Sequence, residues 1–279
     1  MSTFTLGNSS PAVEVHLASD ITQNQLLNFL PFKNWLATLQ HSLSLQHSDK
    51  SHSFHESPYK LRNINVQSVD WFGGGKRLGF VKLQAEVSND QGERLPGSVF
   101  LRGGSVGMMV ILQPDDVPEG SETDKHVILT VQPRIPAGSL CMTELPAGMV
   151  DDGTFSGTAA QEIKEEVGLE IPEDQLIEMS RLAIKNSEES TGEKLQRAMY
   201  SSAGGSDEFL PLFLHQRRVP RDQLKEWQGK LTGLREHGEK ITLRLVPLEK
   251  LFMEAGHDAK ALAALALYEG LRKQGKIKG

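Results

Sequence analysis

Glu144-Leu-Pro-Ala-Gly-Met-Val-Asp-Asp-Gly-Thr-Phe-Ser-Gly-Thr-Ala-Ala-Gln-Glu-Ile-Lys-Glu-Glu-Val-Gly-Leu169 is the stretch on which the reading of this chain turns. Leu145-Pro146-Ala147-Gly148 ends a strand in a tight turn, and Asp151-Asp152-Gly153 leads directly into a helix. Thr158 and Gln161 have the spacing of a capping box, which predicts the helix start there. Gly168 stands where a left-handed stop is expected, with the apolar Leu169 just beyond. Ala159, Ile163 and Val167 share one helical face, while Glu162, Glu165 and Glu166 fall at i, i+3 and i+4 and can converge on another.

Three like charges so placed repel one another unless something offsets them. A hard divalent cation taking oxygen ligands is the natural partner, magnesium first and manganese second. The competing reading is a solvated acidic face. A strand, a Gly-bearing loop and a helix offering carboxylates in direct succession favour the built metal site.

Outward from this segment the pattern changes several times. Ile21 to Leu39 has helical apolar spacing interrupted at Pro31, followed by a His/Ser-rich tract through Ser57 with His41, His47, His52 and His55. That tract lacks regular ligand spacing and reads as a mobile polar loop rather than a metal site. Leu78–Leu83 and Ser98–Arg102 flank Asn89-Asp90-Gln91-Gly92, a hairpin signal. Val106–Leu112, His126–Val131, Phe209–His215 and Ile241–Val246 read as further strands. Asp258–Lys273 reads as a closing helix with Ala261, Leu262, Leu265, Ala266 and Leu271 inward. The division expected is an N-terminal helical and His/Ser-rich segment (1–57), a β region (58–104) and a larger α/β domain (105–279).

Composition sets outer limits. The 279 residues suffice for one large or two modest domains, and a net charge of −6 argues against non-specific nucleic-acid binding. The single cysteine, Cys141, provides no intrachain disulfide; it reads as a small buried hydrophobe and, lacking an evident base, not as a nucleophile. No apolar run is long enough for a membrane span and no secretory leader is recognised, so a cytoplasmic location is expected.

The loop and helix resemble the signature of the Nudix hydrolases, Gly-x5-Glu-x7-Arg-Glu-U-x-Glu-Glu-x-Gly-U, with Gly148, Glu162, Ile163, Glu165, Glu166, Gly168 and Leu169 matching. Gln161 stands in place of arginine, Thr154 falls where the first glutamate would, and the run from Gly148 to Gln161 is one residue short. Since that arginine orients neighbouring carboxylates in the family, its loss implies damped activity, and Asp151 or Asp152 is the expected substitute for the first glutamate. Ser202-Ala-Gly-Gly-Ser-Asp-Glu208 is similar to a loop of the ADP-ribose pyrophosphatases. Thr232-Gly-Leu-Arg-Glu-His-Gly-Glu239 is similar to the plant-type ADP-sugar diphosphatases.

The resemblance implies an α/β/α sandwich with a mixed sheet, plus a small N-terminal helix and β-hairpin region that supports a homodimer. It implies hydrolysis of an ADP-sugar, ADP-glucose or ADP-ribose, to AMP and a sugar phosphate. The metal ligands would be Glu162, Glu165, Glu166, Glu208 and the Ala147 carbonyl, with Glu208 also the candidate base. Arg134, Gly148, Met149, Arg235 and Glu239 would contact substrate, Arg134 because its fork donates to two oxygens. Trp71 and Phe72 read as packing residues before the Gly73–Gly75 turn, with base stacking the alternative. The rival from another class is a Nudix fold that binds a nucleotide as sensor or scaffold without cutting it.

Overall fold

The computed structural model describes residues 2–7, 12–150, 154–233 and 240–278. Chain contacts draw two compact units. The first holds residues 1–104 with 185–196 and 202–209; the second holds 105–184, 197–201 and 210–279.

The first unit is a sheet with helices on one face. Short strands β1 (Thr3–Thr5) and β2 (Glu14–His16) precede helices α1 (Gln23–Asn28) and α2 (Leu30–Ser48). Thr22 caps α1 in a capping box with Gln25, and Pro31 restarts the chain as α2 in the first-turn position that proline tolerates. A long antiparallel hairpin follows, β3 (Lys60–Phe72) and β4 (Arg77–Ser88), turning through Gly73, Gly74 and Gly75, all at positive φ. Asn89 turns the chain again, its N–H bonding Glu93 O at 3.1 Å, into β5 (Arg94–Leu95) and β6 (Ser98–Leu101). Asp90 ties that turn to β3 through Lys60 and Arg62 at 2.6 and 2.7 Å, and these cations hold its carboxyl down at about 2.

Phe32, Trp35, Leu36, Leu39 and Leu43 of the helices share a core with Val81, Leu83 and Ala85 of β4. One expectation is corrected in part: the His-rich tract is helical as far as Ser48, the end of α2, and turns follow; His41 Nε2 lies 2.7 Å from Gly192 O, and His55 Nδ1 lies 2.8 Å from Gln46 O. Trp71 and Phe72 are half-buried, and the Phe72 ring meets Phe80 edge-on at 4.9 Å.

Gly97 is required by close approach, since a Cβ there would lie 1.9 Å from the backbone oxygen of Ala85. Backbone cannot step aside as a side chain can. Gly97→Ala is therefore expected to cost about 1–3 kcal/mol of stability, read as a lower urea midpoint at unchanged slope.

The second unit is built on β7 (Ser105–Pro114), every residue of which is buried. Around it stand β8 (His126–Arg134), β9 (Ser139–Glu144), β10 (Ala147–Met149), helix α3 (Phe155–Glu162), β11 (Ile177–Glu178) and α4 (Met179–Ala183). Then come α5 (Ser187–Ser190, in the first unit), the two-residue strands β12 (Met199–Tyr200) and β13 (Phe209–Leu210), β14 (Leu212–Val219), α6 (Arg221–Trp227), β15 (Leu231–Thr232), β16 (Ile241–Pro247), α7 (Leu251–Glu254) and α8 (Ala259–Lys273).

The sheet order is β11-β14-β7-β8-β16-β15, with β10 also on β7 and β9 also on β8. β7 and β14 are parallel and the remaining pairs antiparallel, so the sheet is mixed. Alternation decides the layers. Val106, Met108, Val110 and Leu112 pack with Ala159, Ile163 and Val167 below one face, together with Leu224 and Trp227 of α6. Met109 and Ile111 pack on the other face with Ala261, Ala264, Tyr268 and Leu271 of α8. Helices thus cover both faces, giving the expected α/β/α sandwich.

The inward stripe of α8 differs from the sequence reading: Leu262 and Ala266 are exposed, and Tyr268 is buried instead. Cys141, expected to be buried, is exposed on β9, which pairs with β8. Among the described residues no helix is long and apolar enough to cross a membrane.

Candidate active site

The helix that carries the carboxylates starts four residues before the capping box suggested. Thr154 is the N-cap, extended at φ −89° and ψ 153°, and its Oγ1 accepts the Gly157 N–H at 3.0 Å. Thr158 is already helical, its N–H donating to Thr154 O. After Glu162 the last turn, Ile163–Val167, widens to a π-turn before Gly168 closes it at φ 75°.

The three glutamates are placed differently. Glu166 is only 2% exposed, and its Oε2 accepts the Ala147 N–H at 3.1 Å. The Glu162 carboxyl lies against Gly148, where a Cβ would fall 1.8 Å from Cδ and 1.9 Å from Oε1. Glu165 is turned aside and accepts from Gln161 Nε2 at 2.9 Å. Two of the three carboxylates thus meet the loop, and among the described residues no three His, Cys, Asp or Glu side chains gather at metal-binding distance. Asp151 and Asp152 lie outside the described residues.

The loop is a built feature. β10 pairs antiparallel with β7, Ala147 opposite Gly107 and Gly148 opposite Val106, and Met108 N–H bonds Pro146 O at 2.9 Å. Met149 is half-buried opposite Ser105. On the other side Leu145 N–H donates to Asp258 Oδ2 at 2.9 Å, and Asp258 also caps α8. Lys260 Nζ bridges Asp258 Oδ1 at 2.9 Å and Glu144 Oε2 at 3.0 Å. Glu144 and Asp258 are each 4% exposed, so these charges are paired where desolvation would otherwise be costly.

Arg134, expected to contact substrate, is paired with a carboxylate. Its Nε donates to Glu144 Oε1 at 2.6 Å and its Nη2 to Oε2 at 3.3 Å. Burial alone would lower its pKa. The Glu144 hydrogen bonds and charge, with Glu166 and Asp258 beyond, outweigh that and raise it. Burial likewise opposes the charge on Lys260, and Asp258 and Glu144 more than compensate.

Glu208 belongs to the first unit, where it forms an ion pair with Arg102 at 3.1 Å. Asp207 beside it accepts the Arg102 and Gly103 amides, while its burial raises its pKa. Arg235, His237 and Glu239 lie outside the described residues.

Comparison with known proteins bears on this geometry. Residues 119–266, more than half of the chain, match the family model described as the NUDIX domain. The chain is also 34% identical over 249 residues to Nudix hydrolase 14, chloroplastic, of Arabidopsis thaliana, covering 88% of this chain and 72% of that protein. The chain belongs to the Nudix hydrolase family. A solved structure described as the crystal structure of an ADP compounds hydrolase matches 78% of this chain and 97% of its own, at 15% identity and a TM-score of 0.49.

As a Nudix hydrolase, the chain has the donor chemistry for a hard divalent cation. Two carboxylates, Glu162 and Glu166, meet one loop, and Glu166 does so where it is almost fully buried. Its Gln161 still orients a carboxylate, but as a neutral donor with one bond where arginine would bring a charged fork. Gln161→Arg is therefore expected to raise kcat several-fold at saturating metal. An unchanged or lower rate would remove the claim that this departure damps the enzyme.

Proposed function

We propose that this Nudix hydrolase cuts the pyrophosphate link of an ADP-sugar, releasing AMP and a sugar phosphate. The observation that carries the reading is the meeting of Glu162 with Gly148 and of Glu166 with the Ala147 amide, on a loop locked to the central strand. Magnesium, or manganese in its place, would be held by Glu162, Glu166 and the Ala147 carbonyl, with Glu165 joining if it leaves Gln161. When bound there, such a cation would supply charge neutralisation for the diphosphate and a more acidic water. The protein supplies placement and charge, which is most of what phosphoryl chemistry asks of it. Glu166 fixes the loop through Ala147, Gly148 leaves room for the Glu162 carboxyl, and Met149 extends the strand toward substrate. The roles of Glu208 as base and of Arg235 and Glu239 as substrate contacts rest on the motif resemblance.

The choice of ADP-sugar rests on Leu145-Pro-Ala-Gly-Met149 and Ser202–Glu208, both similar to that branch. A homodimer and a cytoplasmic location belong to the same reading, to be checked by light scattering and by cell fractionation. The plant relative is named as chloroplastic. The deciding experiment measures AMP released from ADP-glucose and from ADP-ribose, with magnesium and with chelator. Chelator-sensitive release supports the reading, and the ratio of rates picks the sugar. Nucleotide binding without release from either would favour the sensor, a role consistent with Glu165 being turned to Gln161.

A further inference from the structure

We infer that Lys260 is a positioning residue of the active-site loop, setting the 145–147 backbone through the pair of buried carboxylates it joins; this rests on the metal-site reading above. Lys260 is in the first turn of α8, where the helix dipole disfavours a cation. The helix does not need it for packing, because Ala261, Ala264, Tyr268 and Leu271 fill the core from that side. Its side chain is nevertheless drawn inward. The Cδ passes 3.7 Å from where a Cβ would stand on Gly107, and Gly107 is the register partner of Ala147.

Beyond that point the ammonium divides between two carboxylates on either side of the loop. One is Glu144, the last residue of β9, which also holds Arg134. The other is Asp258, whose second oxygen receives the Leu145 amide. Stem and head together therefore pin the residues before Ala147 and the strand opposite it. With the peptide run held at Leu145, the Ala147 N–H is aimed at Glu166, one of the carboxylates that would hold the cation. A neutral residue at 260 would leave Glu144 and Asp258 close together, and the loop free to follow either. The only sequence signal is Asp258 as a helix cap; the link to Glu144 spans 116 positions and has no local pattern.

The test is manganese binding to the full-length protein without substrate, by electron paramagnetic resonance, with thermal unfolding recorded alongside. Lys260→Met is expected to weaken binding by about 10–100-fold, and Lys260→Arg to recover most of it. The double variant Lys260→Met/Glu144→Gln removes one carboxylate charge with the lysine, so that folding is preserved if Lys260→Met alone does not fold, and it should bind as weakly. Parent-like binding by the double variant, while Glu166→Gln has lost it, overturns this inference and leaves the metal site standing. Parent-like binding by Glu166→Gln overturns the metal-site reading and this inference with it.

Discussion

Glu166→Gln is expected to lower kcat/KM by about 10²–10³-fold while leaving the unfolding transition nearly unchanged. The amide that replaces the carboxylate retains an oxygen able to accept the Ala147 N–H, so the loop contact survives. What disappears is a negative charge at a position only 2% exposed, where water does little to screen it and a cation depends on it most. The loss should therefore be partly recovered at high magnesium, in steady-state assays from micromolar to tens of millimolar metal. Glu162→Gln should act in the same direction. Parent rates in both variants would show that these carboxylates do not hold the metal.

Gly148→Ala is expected to separate activity from stability even more sharply. A methyl there would overlap the end of the Glu162 side chain at 1.8–2.3 Å, and Gly148 has no positive φ to strain. The side chain is flexible, so it rotates away and the fold loses little, about 1 kcal/mol or less. The carboxylate that rotates is a metal ligand in the proposed site, so kcat/KM should fall by about 10²-fold. Circular dichroism melts beside AMP-release kinetics would check this. A large drop in the melting temperature at retained activity would mean that Glu162 is a structural residue. The contrast with Gly97→Ala, where the obstacle is backbone, is a control for the argument.

How legible this was depends on how local each feature is. β7, β8 and β16 show as apolar runs because both faces of the sheet are covered, and Gly168 shows because glycine readily takes the left-handed conformation that ends this helix. The helix start is hard to place because Thr158 and Gln161 have the spacing of a box, whereas Thr154 caps with its hydroxyl alone. The convergence of all three glutamates assumed a regular helix, and the π-turn is not encoded in any pattern of apolar spacing. The end of α2 was hidden by polar residues, although Leu39 and Leu43 continue its apolar face. Arg134 shows in the sequence as a fork for two oxygens, but its pairing with Glu144, ten residues away, does not. Lys260 and Glu144 are too far apart in sequence for any spacing rule.

β7 has a further consequence. It has strand neighbours on both sides and no residue facing solvent, and β10 adds itself to the same ladder. Amide protons of Met108–Leu112 should exchange with deuterium only when the whole unit opens. Since Met108 itself donates to Pro146, the half of the site contributed by backbone is already ordered before any ligand arrives. The carboxylates at the π-turn make the other half, and the adaptation needed on binding falls to them.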